Sequence, residues 1–149
     1  MFEYVAKAGV PYVLMHIQGT PQTMQKNPVY GDVVQEVRDF FVERIVRLNG
    51  LGFDNIVLDP GFGFGKTLEH NYKLMNGMDS YSELGYPLLV GISRKSMIYK
   101  LLGGTPDDAL NGTTVLNTIA LMKGAVILRV HDVKEAVEAV RIYCAGNEE

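Results

Sequence analysis

Four short apolar runs, each ending in residues with chemistry to offer, constrain the fold of this chain more than any other feature. They are YVLMH (12–16), NIVLDP (55–60), PLLVGIS (87–93) and AVILRVH (125–131). Each is near-continuously apolar rather than alternating, which is how a strand buried on both faces of a parallel sheet reads. The segments between them have helical periodicity. In DVVQEVRDFFVERIVRLNGLG, the residues Val33, Val37, Phe40, Phe41, Ile45 and Leu48 recur at spacings of three and four along one stripe, and Gly50 offers a stop. LEHNYKLMNGM reads as a weaker helix interrupted by Gly77. RKSMIYKLLGG and DDALNGTTVLNTIALMKG predict two helices separated by Gly103, Gly104 and Pro106. DVKEAVEAVRIYCAG is amphipathic, with Asp132 as N-cap and Gly146 as a stop.

The order is a helix tail followed by four βα steps, with strand starts roughly 30 to 45 residues apart, the size of a βαβ unit with its loops. Such alternation implies an α/β fold with parallel strands and helices outside them. The polar residues then bear on topology. The runs end in His16 and Gln18, in Asp59, in Ser93, Arg94 and Lys95, and in Arg129 and His131. In a (β/α)8 barrel, active-site groups sit at the C-terminal ends of several strands around one mouth, whereas an open sheet binds mostly near one switch point. Chemistry at every strand end favours the barrel, of which four units make half.

Composition excludes several classes. At 149 residues with 47% hydrophobic residues, the chain suits one domain with a sizeable core. A net charge of −3 argues against a general binder of nucleic acid or anionic membrane, so phosphate contacts must come from a few positioned cations. Cys144 is the only cysteine, which rules out an intramolecular disulfide and a Cys-rich metal site, and its thiol is expected to be inert packing on the last helix. No apolar run reaches transmembrane length, and MFEYVAKAG lacks the basic and apolar regions of a signal peptide, so a cytoplasmic location with no membrane partner is expected.

GFGFGKT (61–67) invites comparison with a phosphate-binding loop, but that pattern would need its first glycine at position 60, where Pro60 has no N–H and a fixed φ. Asp59 has two readings: a turn residue in Asp-Pro-Gly, or a carboxylate in the barrel mouth accepting hydrogen bonds from an N–H-rich ring. Gly61, Gly63 and Gly65 let the backbone approach a ligand closely or move as a loop, and the alternating Phe62 and Phe64 send one ring to the core and one to the pocket. In SRKS (93–96), Arg94 and Lys95 are either solvated charges or, at a strand end and helix start, an anion site. Arg129 and His131 stand two apart on a strand and share a face; an inward-pointing basic pair calls for an anion of phosphate type. Adjacent His131 and Asp132 lack ligand geometry, so no protein metal site is expected. His70 reads as surface or capping, and His16 carries little signal.

Together, LMHIQGTPQTMQ, LDPGFGFGKTLEHNYKLM, PLLVGISRKSMI and LRVHDVKEAVEA resemble dihydropteroate synthase, the folate-pathway enzyme inhibited by sulfonamides. The resemblance implies a TIM (β/α)8 barrel, of which residues 1–149 are a partial domain, the C-terminal half with strands five to eight. It also implies joining p-aminobenzoate to 7,8-dihydropterin-6-ylmethyl diphosphate, with release of diphosphate and with Mg²⁺ bound mainly through that diphosphate. By the matching motifs, Asp59 would hydrogen-bond the amide and amino edge of the pterin, with Lys95 reaching the ring and Met15 packing in the pocket. Arg129 and His131 would hold the diphosphate. Phe64, Gly91, Ser93, Arg94 and Ser96 would border the substrates, chiefly the amine, with the Lys95 stem. By the same resemblance, Asp59, Lys95, Arg129 and His131 would form the catalytic set, and Lys66 is expected to matter least.

The partners implied are small molecules and a second copy, since half a barrel leaves two parallel strand edges for a homodimer to cover. The family's N-terminal half supplies an Asn near the diphosphate, further pterin contacts and two mobile loops, so this chain alone is expected to be inactive. Two alternatives stand beside this reading. One is a barrel transferring a methyl group from methyltetrahydrofolate to a corrinoid protein, which leaves SRKS and RVHD without a job. The other is a non-enzymatic fragment that binds a pterin or an anion.

Overall fold

A computed structural model describes residues 1–19 and 28–147, so the TPQTMQ part of the first motif lies outside the described residues. Helix α1 (Phe2–Ala8) leads into strand β1 (Tyr12–Met15), then α2 (Val33–Asn49) and β2 (Ile56–Asp59). After these come α3 (Leu68–Asn76), the short α4 (Asp79–Ser82), β3 (Leu89–Val90) and α5 (Ser96–Leu102). A 3₁₀ turn (Pro106–Asp108), α6 (Leu110–Met122), β4 (Ile127–Leu128) and α7 (Val133–Ala145) complete the described chain.

All four expected strands form and every pairing is parallel. β1 lies on β2 from Tyr12 opposite Ile56 to Met15 opposite Asp59, and β3 lies on β4 with Leu89 opposite Ile127. A bridge between Leu58 and Leu88 joins the two pairs, the Leu58 N–H donating to the Pro87 carbonyl at 2.8 Å. The strands therefore run in chain order. β3 and β4 are shorter than their apolar runs, although the ladder continues past them: the Arg129 N–H donates to the Val90 carbonyl at 2.9 Å.

The expectation that every strand is covered on both faces holds only at the centre. Leu58, Leu88 and Val90 are buried, whereas Val13 is 45% and Val126 68% exposed. β1 and β4 are edges, and among the described residues no element lies beyond them.

Helix α2 shows why these residues choose this packing. Asp32 caps it by accepting from the N–H groups of Val34 and Gln35, and Val33, Val37, Phe41, Ile45 and Leu48 are buried as their spacing predicted. Phe40 is the exception, half-buried with the Arg44 guanidinium 3.7 Å from its ring centroid. Phe41 meets Tyr81 edge to face at 5.5 Å, and the Tyr81 hydroxyl donates to the Val34 carbonyl, so the core's largest polar tip is satisfied. Asp132 stands at the N-cap of α7 but makes no capping bond, because its carboxylate is engaged by Arg94. Cys144 is exposed rather than packed, since on α7 only Ala136 and Ala139 are buried. Among the described residues no helix is long and apolar enough to cross a membrane.

Candidate active site

Asp59 ends β2 and is buried. Its Oδ1 accepts from the Gly61 N–H at 2.8 Å, so it closes the Asp-Pro-Gly turn and also stands as a carboxylate at a strand end. Its two sequence readings are thus compatible. Burial lifts its pKa above the usual carboxylate range, against the opposing pull of the Gly61 N–H, Lys95, Lys66 and Arg129.

The glycine loop then folds back against the end of β1. Gly61 has φ 69°, and a Cβ there would lie 1.9 Å from the His16 carbonyl oxygen, so no other residue fits. Phe62 is fully buried and Phe64 lines the cavity described below, as their alternation predicted. Lys66, expected to matter least, is buried, and its Nζ bonds His16 Nδ1 (3.0 Å), the Gly61 carbonyl (3.0 Å) and the Phe64 carbonyl (3.1 Å). Burial lowers Lys66 to about 7 and, with the Lys66 charge, lowers His16 to about 3. His16 is therefore neutral and its Nδ1 accepts, because an ammonium only donates. Sequence reasoning missed this pair: its partners are 50 residues apart, and neither belongs to a pattern that names the other. His70 completes a capping box with Thr67 at the start of α3.

The ends of β3 and β4 carry the cations. Ser93 is buried, and its Oγ accepts from the His131 N–H at 3.1 Å and lies 3.0 Å from His131 Nδ1. Arg94, at φ 52°, commits its guanidinium to both Asp132 oxygens (2.9 Å each) and to the carbonyls of Pro106 and Asp107. This fork pins the start of α7 to the β3 loop. Lys95 Nζ donates to the Phe62 carbonyl and sits 4.4 Å from the Phe64 ring centroid. Burial lowers Lys95 to about 8, with Asp59 opposing and Arg129 adding to the shift.

Phe64, Gly91, Ser93, Arg94, Lys95, Arg129 and His131 line one open cavity of 620 Å³. Asp59 feels the charges of Lys95 and Arg129 from beside it, Met15 pairs with Asp59 across the β1–β2 ladder, and Ser96 opens α5. Met15 and Ser96 are not among the lining residues. Arg129 and His131 are exposed, not buried on a strand as expected, because β4 ends at Leu128. Both side chains are therefore hydrated, and desolvation does not demand an anion beside them. What replaces it is geometry: the Arg129 guanidinium makes no hydrogen bond or ion pair among the described residues and faces the same cavity as Lys95.

No group of three or more His, Cys, Asp or Glu among the described residues could hold a metal ion. Lys95, Arg129 and His131 do not fit Mg²⁺, which takes carboxylate and water oxygens.

Parallel βα units whose strand ends gather a buried carboxylate and several cations around one cavity are the arrangement in which α/β enzymes place their ligand sites. The family model described as pterin binding enzyme matches residues 1–131, and the chain belongs to that family. The dihydropteroate synthase of Escherichia coli strain K12 is 50% identical over 142 residues, which is 94% of this chain and 50% of that protein. That of Haemophilus influenzae is 41% identical over 145 residues, 96% of this chain and 53% of that protein. Among solved structures, Yersinia pestis dihydropteroate synthase with a sulfonamide drug complex matches with a TM-score of 0.93 at 46% identity, covering 97% of this chain and 54% of that one. The Xanthomonas albilineans enzyme in complex with 7,8-dihydropteroate matches at 0.90 and 38%, covering 99% and 55%. The chain spans about half the length of the curated relatives it matches.

Proposed function

We propose that this chain carries the C-terminal half, strands five to eight, of a dihydropteroate synthase TIM barrel, and with it one wall of the site that joins p-aminobenzoate to 7,8-dihydropterin-6-ylmethyl diphosphate. The observation that carries this reading is the cavity where Lys95, Arg129 and His131 meet Phe64 beside the buried Asp59. The sulfonamide and 7,8-dihydropteroate complexes of the two relatives support it.

In the reaction, the amine nitrogen bonds to the pterin methylene, the C–O bond to diphosphate breaks with its electron pair leaving on oxygen, and the amine proton passes to solvent. Positive charge builds on the methylene and negative charge on the leaving group. The Asp59 carboxylate holds the amide and amino edge of the pterin and favours the first; Arg129 and His131 favour the second. Lys95 reaches the ring, and Met15 packs from the paired strand. The amine needs positioning more than a general base. Phe64, Gly91, Ser93, Ser96 and the Lys95 stem border it, and Arg94, its guanidinium already held by Asp132, shapes this wall rather than binding a carboxylate. Mg²⁺ would arrive on the substrate diphosphate, not on side chains of this chain.

Calorimetry with diphosphate and a pterin analogue tests the reading. The chain is expected to bind both, and Arg129→Ala to lose at least tenfold in diphosphate affinity, about 1.4 kcal/mol. Diphosphate binding untouched by Arg129→Ala overturns the assignment; pterin binding without any diphosphate binding turns it toward a methyl-transferring barrel.

A further inference from the structure

The proposed chemistry leaves Lys66 without a task, yet its amine is the most fully engaged of any lysine in the site. Its three hydrogens meet three acceptors: His16 Nδ1, the Gly61 carbonyl and the Phe64 carbonyl, at 3.0, 3.0 and 3.1 Å. Although burial lowers its pKa to about 7, three acceptors around one nitrogen suit the charged form, and an ammonium has three donors and no acceptor, so nothing remains for a ligand. Two of the acceptors belong to the glycine loop, and the third stands just past the end of β1. One buried cation therefore fastens the loop to itself and to the neighbouring strand.

The backbone closes the same seam. A Cβ on Gly61 would lie 1.9 Å from the His16 carbonyl oxygen, and one on Gly65 2.7 Å from that of Gln18. What the seam holds is the site: Gly61 donates to Asp59 Oδ1, the Phe62 carbonyl accepts from Lys95 Nζ, and the Phe64 ring faces that ammonium. We infer that Lys66 is a positioning residue, which staples the glycine loop to the end of β1 and thereby sets the Asp59 carboxylate and the Phe64 ring without touching substrate. The consequence for ligands rests on the proposed function; the staple itself does not.

The two are separated by hydrogen exchange and calorimetry on the 149-residue chain and two variants. Lys66→Met keeps the aliphatic stem and removes all three donors. His16→Phe removes one acceptor and keeps an aromatic ring against Phe40, which His16 meets edge-on at 4.9 Å. In Lys66→Met, the amides of residues 61–65 are expected to exchange at least tenfold faster while those of α2 and β2 are unchanged, with a smaller rise in His16→Phe. Pterin-analogue affinity is expected to fall at least tenfold while diphosphate affinity stays within twofold, a split that general destabilisation does not produce. Unchanged loop exchange in Lys66→Met overturns the inference, as does an equal loss of both ligands. Should Lys66→Met not fold, unchanged loop exchange in His16→Phe overturns it. A wild-type chain that binds no pterin analogue overturns the proposed function instead, and exchange then decides on the staple alone.

Discussion

Lys66 and Lys95 flank the same loop with opposite duties, and the difference lies in how many hydrogens each has left. Lys66 gives all three to protein acceptors, whereas Lys95 gives one to the Phe62 carbonyl and keeps two for a ligand. Because burial lowers Lys95 to about 8, its charge is conditional near neutral pH. The unfolded chain holds that proton up to about 10.4, so between these values the unfolded state binds more protons and stability rises with pH through this group. Anion binding runs the other way: a bound diphosphate favours the charged amine, and its affinity should fall as pH rises past about 8. Calorimetry across pH 6–10 is expected to show this decline in wild type and a flatter profile in Lys95→Met; identical profiles would mean that the Lys95 charge does not act on an anion held by Arg129 and His131 across the shared cavity. Lys95 was legible because two cations directly after a buried strand are informative by position. Lys66 was not, because failing one motif left it without visible work, and its true partner is His16.

Helix periodicity and caps read well from sequence because both are local. The α2 stripe and the left-handed Gly103 that ends α5 each involve residues within a turn or two of one another. What an element meets is another matter. Gly112 sits inside α6, where Gly→Ala ordinarily gains about 0.5–1 kcal/mol, yet a Cβ there would lie 2.3 Å from Ile98 Cγ2 of α5. Ile98 is buried and branched at Cβ, so it cannot swing away. Gly112→Ala is therefore expected to destabilise by about 1–3 kcal/mol. Ile98→Leu, which removes the branch, should recover part of the loss in a double-mutant cycle measured by urea unfolding. A stabilised Gly112→Ala would mean that α5 and α6 are not in this close contact. Asp132 takes the N-cap position its sequence predicted but makes no capping bond for the same reason: its carboxylate has a better partner in Arg94, 38 residues away, than in its own helix.

At the scale of the molecule, the parallel strands run in chain order and stop at two open edges, β1 and β4. Val13 and Val126 are exposed along them, and Val133, Val137 and Val140 leave an apolar face on α7. Exposed parallel edges and apolar faces favour pairing with another chain. Light scattering is expected to give a dimer or larger species at micromolar concentration, and this chain alone to make negligible dihydropteroate; a stable monomer, or turnover at the rate of a whole relative, would contradict these expectations. The sequence by itself determined the alternation of strands and helices, their parallel sense and the cations at strand ends, because apolar period, capping and turn chemistry act within a few residues. The tertiary structure alone decided that Lys66 is bound to His16, that Arg94 is held by Asp132, and that Arg129 and His131 stand open to solvent. Those outcomes depend on a register that sets Met15 opposite Asp59 and on where β4 ends, and no local pattern encodes which distant groups a sheet brings within hydrogen-bond reach.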